Sequence, residues 1–251
     1  MKIAIVGGGR SGRAIQHALA DHGLTGQLFS RSTGFDILKA DAADRLGDVD
    51  VIIEATGRFT TSRKVATDFF THSTRAVGAA ARAAGARHIL LSIVDCEKDV
   101  LQGYGYFSGK AAQERVARAE NPGVTVIRST QWFEFAEQNL DRFTFGPFAL
   151  VPRMKIKPVA LDAVAAVIAE TVVGDRTGTC DISGPEVMTL WEMTEKVRPN
   201  GIVQVPLPLP GSTWRAFRDG GLVPGPDVEQ VGPRFAEWVA AQMERESKDR
   251  P

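Results

Sequence analysis

The sequence predicts an α/β protein built on a doubly wound parallel sheet, followed by a small loop-rich cap. Three observations predict this class: short apolar runs alternate with helical patterns, a glycine-rich turn follows the first run directly, and proline becomes frequent after residue 198. Alternating strands and helices are typical of a parallel sheet with helices on both faces. We therefore expect two domains, residues 1–183 and a smaller cap of residues 184–251 packed on the first.

Composition excludes several classes of protein. The 251 residues are 43% hydrophobic and 24% charged, which is ordinary globular usage. Thirty basic and thirty acidic side chains give a formal net charge of zero, so nucleic acid is not expected as a main partner. The two cysteines and four histidines show no metal-ligand spacing, and no metal is expected. No apolar run approaches a membrane span or signal peptide, so we expect a cytoplasmic protein.

The first strand and the turn after it carry a dinucleotide-binding fingerprint. The run KIAIV is followed by GGGRSG, and a helical pattern begins near Ser11. In such a turn Gly7 allows the sharp bend, Gly9 lets the backbone approach a pyrophosphate, and Gly12 lets helix and strand pack closely. Arg10 and Ser11 lie at the helix start, where the N-terminus favours an anion. The pattern predicts a Rossmann-type cofactor site.

The end of the second strand indicates which cofactor binds. Residues 27–29 lead into Ser30, Arg31 and Ser32, about twenty residues beyond the fingerprint, where NAD-binding proteins carry an acidic residue. A guanidinium at this position favours a 2′-phosphate, and Arg10 could assist. We therefore expect NADP(H), with NAD(H) less favoured. The alternative interpretation is that both arginines are solvated surface residues.

Further elements follow the same alternation. A buried strand at 49–55 ends in Thr56 and Gly57, where the backbone would pass the cofactor. A strand at 88–92 ends at Ser92, at the edge where ligands bind. The other predicted strands are a weak one near 35–37, 124–128 and 178–183; the other predicted helices are 42–46, 74–84, 106–119, 161–173 and 234–245. Residues 199–233, with seven of the 13 prolines, are expected not to extend a sheet.

Tyr106 and Lys110 are the strongest candidates for catalysis. Tyr104 and Tyr106 are the only tyrosines, and Lys110 lies four residues after Tyr106, on the same helix face. An ammonium about 4 Å from a phenol favours the phenolate by up to about 4 kcal/mol at an effective dielectric of 20. We therefore expect Lys110 to lower the pKa of Tyr106. The alternative is that the two are merely neighbours on a helix surface.

These residues carry a family resemblance. The segment YFSGK resembles the Y-x-x-x-K pair of short-chain dehydrogenases/reductases, with Ser92 fourteen residues before Tyr106, and residues 87–135 are similar to the atypical, NmrA-like branch. The resemblance implies that Tyr106 donates a proton to a carbonyl. It also implies that Lys110 holds the nicotinamide ribose and that Ser92 binds the reacting oxygen. The helical asparagine of typical members has no counterpart, because Asn121, Asn139 and Asn200 all follow Tyr106.

The segment after strand 124–128 is the candidate substrate wall. Gln131, Trp132 and Phe133 combine a polar anchor with two aromatic rings on the expected ligand side. Core packing explains the two aromatic residues almost as well.

Together these patterns predict an NADP(H)-dependent oxidoreductase that acts on a small, mostly apolar carbonyl or alcohol substrate. Two alternatives stay open. One is an NmrA-like regulator that senses NAD(P) without turnover and signals through a protein partner. The other is a sugar-nucleotide epimerase or isomerase. Substrate identity and oligomeric state are not predicted.

Overall fold

A computed structural model describes residues 1–39 and 41–248, except for the side chain of Glu246. The strands are β1 Ile3–Val6, β2 Gly26–Phe29, β3 Val51–Glu54, β4 Arg87–Ile93, β5 Thr125–Ser129, β6 Thr144–Phe145, β7 Phe148–Pro152, β8 Lys155–Ile156, β9 Thr179–Ser183, β10 Met188–Thr189, β11 Val203–Leu207 and β12 Glu229–Gln230. The α-helices are α1 Arg10–Asp21, α2 Ala42–Arg45, α3 Arg63–Ala84, α4 Gly105–Glu120, α5 Phe135–Phe143, α6 Leu161–Val173, α7 Leu190–Val197, α8 Ser212–Arg218 and α9 Phe235–Lys248. None of these described helices is both long and apolar enough to span a membrane.

A seven-stranded parallel sheet in the order β2-β1-β3-β4-β5-β9-β12 confirms the predicted Rossmann-type fold class. From β1 the chain first adds β2 on one side and then β3 on the other, each parallel to β1. The carboxyl ends of β1 and β3 therefore flank a topological switch point. Such a point is where open α/β sheets bind ligands.

Apolar side chains explain why the central strands lie inside. Every residue of β1 and β3 is buried, as expected for strands covered on both faces. Helix α1 buries Ile15 and Leu19 from one stripe, which fixes it on the sheet. The prediction of a strand near residues 35–37 is wrong. Phe35 and Ile37 are buried anchors of a loop, packed in one core cluster with Val6.

The chain divides into two compact units, and the division differs from the expected one. The first unit comprises Met1–Arg128 and Val164–Asp181, and the second comprises Ser129–Ala163 and Ile182–Pro251. The second unit gains residues 129–163 because its strands pair across the chain: β7 pairs with β11, and β8 with β10. Residues 249–251 of the predicted cap lie outside the described residues.

Two further expectations about elements are corrected. The proline-rich stretch does extend sheets: β11 joins a three-stranded sheet ordered β11-β7-β6, and β12 pairs with β9. Because β11 is an edge strand, one of its sides pairs with no other strand. Pro206, which lacks a backbone N–H, is therefore tolerated there. Helix α3 begins at Arg63, earlier than the predicted Thr74, because Ser62 caps it by accepting from the Val65 backbone N–H.

Candidate active site

The glycine turn after β1 brings three strand ends into contact. Gly7 has φ of +125°, and a Cβ there would overlap the carbonyl oxygen of Ala55, just after β3. A Cβ at Gly8 would lie 2.5 Å from the Ser30 hydroxyl oxygen, just after β2. A Cβ at Gly12 would overlap the carbonyl oxygen of Gly7, so α1 packs directly on the turn. Backbone atoms exclude a side chain at Gly7 and Gly12, and the Ser30 side chain occupies the space next to Gly8.

The start of α1 fits a pyrophosphate. Gly9 is the N-cap residue, no side chain caps this end among the described residues, and a Cβ at Gly9 would meet no atom within 4 Å. Backbone N–H groups and the helix dipole favour negative charge at such an end. Arg10 is exposed, whereas Ser11 is buried. The residues present therefore fit the diphosphate of a dinucleotide.

A short 3-10 turn holds Arg31 beside the glycine turn. The turn spans Arg31–Thr33, and the backbone N–H of Ser30 donates to the Thr33 hydroxyl at 2.9 Å. The hydroxyls of Ser30 and Ser32 are hydrogen-bonded at 2.8 Å. Because Ser30 contacts Gly8, Arg31 lies next to the turn, where its side chain is exposed. An exposed guanidinium at this position is available to an anion.

The contacts continue from the glycine turn to the phenol of Tyr106. A Cβ at Gly7 would lie 3.1 Å from the Thr56 backbone nitrogen, and a Cβ at Gly57 would lie 3.9 Å from the Tyr106 hydroxyl oxygen. The structure thus brings together the ends of β1, β2 and β3 and the start of α4.

Tyr106 and Lys110 contact the same ring, so their predicted shared helix face is confirmed. The rings of Tyr106 and Phe70 are 5.6 Å apart in an edge-to-face arrangement. The Lys110 ammonium nitrogen is 5.0 Å from the centre of the Phe70 ring. Phe70 belongs to α3 and is fully buried. Packing of α3 on α4 therefore orients both candidates.

The expectation that Lys110 lowers the pKa of Tyr106 is wrong. Burial raises the pKa of Tyr106 to about 12, and Tyr104 adds to the rise. The Lys110 ammonium instead donates to the Leu91 carbonyl oxygen at 2.7 Å and to Gln113 Oε1 at 2.6 Å. Burial lowers the pKa of Lys110 to about 8, although the negative charge of Glu54 acts to raise it. For the pKa of Tyr106, removal of the phenol from water outweighs the effect of the Lys110 charge that the sequence predicted.

Lys110 belongs to a buried polar network centred on Glu54, the last residue of β3. Gln113 Nε2 donates to Glu54 Oε1 at 2.7 Å and to the Thr56 hydroxyl at 3.2 Å. The Thr74 hydroxyl donates to Glu54 Oε1 at 2.6 Å, and His88 Nε2 lies 3.1 Å from Glu54 Oε2. Burial alone would raise the pKa of Glu54. Hydrogen bonds from these neighbours outweigh burial and hold that pKa below its ordinary value.

Glu54 and Gln113 are absent from the sequence-based site. Two signals point to them: Glu54 is a carboxylate inside an otherwise apolar run, and Gln113 lies three residues after Lys110 on one helix. A carboxylate is rarely buried unless it is paired. A carboxylate within the apolar strand at Glu54 therefore indicates that cationic or hydrogen-bond donor groups are buried beside it.

Ser92 belongs to a second buried cluster. Its hydroxyl is hydrogen-bonded to the Cys96 sulfur at 3.9 Å, and the Cys96 thiol in turn donates to Glu114 Oε1 at 3.4 Å. Arg128 donates to Glu114 Oε2 through Nη2 at 2.7 Å. Burial would raise the pKa of Glu114, but the hydrogen bonds and the charge of Arg128 hold it below its ordinary value. The hydroxyl of Ser92 is therefore engaged inside the protein.

The three candidate substrate residues, all in the second unit, have different surroundings. Phe133 is fully buried and packs edge-to-face on Phe235 and Trp238, with centroid distances of 5.0 and 5.6 Å. Phe133 is thus a core residue, which corrects its assignment to a pocket wall. The Trp132 indole N–H donates to the Ser129 hydroxyl at 2.9 Å. Gln131 Oε1 is buried and accepts no hydrogen bond from the described residues.

Burial of Lys110 has a measurable consequence for stability. Its pKa of about 8 in the folded protein lies below the ordinary 10.5, so burial of the ammonium destabilises the fold most strongly below pH 8. The gap corresponds to about 3 kcal/mol. We expect the free energy of unfolding to gain this contribution as pH rises from about 8 to 10.5. Urea unfolding of Lys110→Met should lack the rise.

Other lysines titrate at high pH, so the comparison needs a matched variant. Lys39→Met removes an exposed ammonium and should retain the wild-type pH dependence. Identical pH dependence in Lys110→Met and the wild type would show that Lys110 carries no burial penalty.

No protein-family model matches the sequence, and no curated protein matches it. Solved structures do resemble it. The dTDP-4-dehydrorhamnose reductase of Bacillus anthracis in complex with NADP has a TM-score of 0.72 and 14% identity, covering 98% of this chain and 100% of that chain. The NADPH-dependent quinone oxidoreductase of Escherichia coli complexed with NADPH has a TM-score of 0.68 and 16% identity, covering 96% and 99%. The UDP-N-acetylglucosamine 4-epimerase of Bacillus cereus has a TM-score of 0.66 and 14% identity, covering 97% and 99%. These likenesses show the fold.

Proposed function

We propose that the chain is an NADP(H)-dependent oxidoreductase of the atypical short-chain type, acting on a small organic carbonyl or alcohol substrate. The observation that carries this proposal is the unbroken series of contacts along one edge of the sheet. Ser30 contacts Gly8, Thr56 contacts Gly7, and the Tyr106 phenol approaches Gly57. A dinucleotide needs such a series, because its adenosine and its reactive ring lie at opposite ends of the central diphosphate.

The cofactor would be held by residues that fit its parts. The start of α1, including Gly9, Ser11 and Gly12, would bind the diphosphate through backbone N–H groups. Arg31, assisted by Arg10, would bind the 2′-phosphate of NADP(H) through charge-assisted hydrogen bonds. Two of the structural neighbours are complexes with NADP or NADPH, which supports this choice of cofactor.

When bound, the nicotinamide supplies or accepts the hydride. Tyr106 would donate the proton that neutralises the substrate oxygen. Its hydroxyl, with a pKa raised by burial to about 12, is protonated at neutral pH, as a proton donor must be. Lys110, held by Leu91 and Gln113, would bind the nicotinamide ribose. Ser92 would need to exchange its hydrogen bond to the Cys96 sulfur for one to the reacting oxygen.

On the substrate side, Gln131 would serve as a polar anchor. Its buried Oε1 has no donor among the described residues and would accept a hydrogen bond from a substrate O–H or N–H. Trp132, fixed through its indole N–H, would supply apolar contact. Phe133 would support both from the core.

NADPH consumption with a panel of ketones, aldehydes, quinones and enones tests this function. We expect turnover of at least one class and tighter binding of NADPH than of NADH. Failure to bind either cofactor would contradict the proposal.

A second function, nucleotide sensing without turnover, is favoured by one observation. Two of the three candidate catalytic groups bind internal partners: Lys110 donates to Gln113, and Ser92 is hydrogen-bonded to the Cys96 sulfur. A sensor needs no reactive phenol. Binding of NADPH without consumption across the whole panel would favour this function.

Arg31→Gln tests the basis of cofactor choice. We expect its Kd for NADPH to rise roughly ten-fold or more, because a hydrogen bond to a charged group contributes about 1.5–3 kcal/mol. Its Kd for NADH, which lacks the 2′-phosphate, should stay unchanged. The exposed Arg75 provides a matched control as Arg75→Gln. Isothermal titration with both cofactors measures these effects, and an equal loss for NADPH and NADH would contradict the role of Arg31.

A further inference from the structure

A groove in the second unit lies at the carboxyl ends of two parallel strands. Strands β7 and β11 pair in parallel, with Pro152 opposite Leu207 at their ends. Arg153 follows β7, and the segment 208–211 leads from β11 into α8. In α/β structures the carboxyl ends of neighbouring parallel strands are the usual place for a ligand. The groove therefore has the topology of a binding site.

Two adjoining hollows form the groove, each with a volume of about 440 Å³. Arg153, Pro206 and Arg218 line both, while Trp214 lines the first and Trp191 the second. Each hollow lies within the size range of small-molecule sites. Both indoles are half-exposed, so their rings are accessible for apolar contact. Each hollow thus combines arginine residues with one tryptophan.

The charge of the lining is positive. Arg153, Arg215 and Arg218 line the first hollow, whose described lining residues include no acidic side chain. Glu192 lines the second, but its carboxylate already accepts from the Thr189 backbone N–H at 2.7 Å and from the Thr189 hydroxyl at 2.8 Å.

One arginine already has an acidic partner outside the lining. Arg218 Nε donates to Asp219 at 2.8 Å, and both side chains of this ion pair are more than half exposed. Exposed pairs contribute little to stability, so a ligand anion can compete for Arg218. Arg153 is exposed at the end of β7. The groove therefore favours an anion.

We propose that this groove binds an organic anion, in which a carboxylate or phosphate ester is attached to a flat aromatic group. Arg153 and Arg218 would bind the anion, and the indole of Trp214 or Trp191 would pack on the aromatic group. The exposed Pro206 and Pro208 would form a wall with fixed backbone. This binding activity goes beyond the proposed oxidoreductase function and does not depend on it.

Isothermal titration of the full chain with phenyl phosphate tests the proposal without any nicotinamide cofactor. Benzyl alcohol lacks the charge and should bind at least roughly ten-fold more weakly, since a charged hydrogen bond contributes about 1.5–3 kcal/mol. Inorganic phosphate lacks the ring that would pack on an indole, and it should also bind more weakly, by up to roughly ten-fold. Benzoate as a fourth probe distinguishes the two anions: tighter binding of benzoate would assign carboxylates, and tighter binding of phenyl phosphate would assign phosphate esters.

Variants locate the site. Arg153→Gln and Arg218→Gln should each weaken phenyl phosphate binding roughly ten-fold, by the same charged contacts. Arg245→Gln, at an exposed arginine of α9, should leave it unchanged. Thermal unfolding checks that all variants stay folded. The proposal is overturned if wild type fails to bind phenyl phosphate at millimolar concentration, or if the Arg153→Gln/Arg218→Gln double variant binds as tightly as wild type.

Discussion

Tyr106→Phe should lower kcat for NADPH-dependent reduction by roughly 10²- to 10⁴-fold, the range that a positioned proton donor contributes. The affinity for NADPH should hardly change, because the substitution removes one oxygen and keeps the ring that packs on Phe70. The hydroxyl near Gly57 is the only part lost. Steady-state kinetics with the best substrate of the panel, together with NADPH titration, measure both quantities.

The other tyrosine of the chain is a matched control. Tyr104 is the N-cap residue of α4, two residues before Tyr106, and its ring packs edge-to-face on Phe107. Tyr104→Phe should keep kcat near the wild-type value, because the hydroxyl that lies near Gly57 belongs to Tyr106. Unchanged kcat in Tyr106→Phe would remove the phenol from the mechanism. A parallel loss of NADPH binding would instead point to a structural role.

Glu54→Leu should destabilise the protein by about 3–5 kcal/mol, the usual result of removing one partner from a buried charge pair. The donors of Gln113, Thr74 and His88 would lose their shared acceptor, and the ammonium of Lys110 would lose a nearby opposite charge. Glu54→Gln keeps the shape and one acceptor oxygen, so its loss should be smaller. Urea unfolding at pH 7 measures both variants.

The pH dependence gives an independent check on Glu54. Because its pKa is lowered in the folded protein, its contribution to stability is present above the ordinary carboxyl pKa and is lost as pH falls through the folded value. Glu54→Leu should therefore lose less stability in acid than the wild type. Glu170→Leu, at an exposed position of α6, should change stability by less than about 0.5 kcal/mol. A similarly small effect for Glu54→Leu would contradict the network.

Local patterns explain why the glycine turn and the shared face of Tyr106 and Lys110 could be predicted. The tight turn at Gly7, the close packing at Gly12 and the shared face of Tyr106 and Lys110 each depend on residues a few positions apart. Their spacing therefore carries the information. The central strands were also accessible, because four-residue apolar runs buried on both faces leave a clear pattern.

Long-range pairing explains what the sequence could not predict. Besides the nearby Thr56, three partners of Glu54 lie 20, 34 and 59 residues away along the chain, and no local pattern brings Thr74, His88 and Gln113 to one carboxylate. The proposed effect of Lys110 on Tyr106 failed for the same reason. Its ammonium is bound by the backbone of β4, a partner that spacing along α4 cannot reveal.

Edge position explains the remaining difference in the fold. Proline-rich sequence argues against a central strand, but β11 pairs with β7 alone and carries Pro206 at an edge. Whether a strand lies at an edge depends on the whole sheet, which a single segment does not specify.

A crystal structure of the protein with bound NADP⁺ tests the central claim most directly. We expect the 2′-phosphate to contact Arg31, the diphosphate to lie at the start of α1, and the nicotinamide ring to lie beside the Tyr106 hydroxyl. A glycine turn without nucleotide at saturating NADP⁺, or a nicotinamide ring remote from Tyr106, would contradict it.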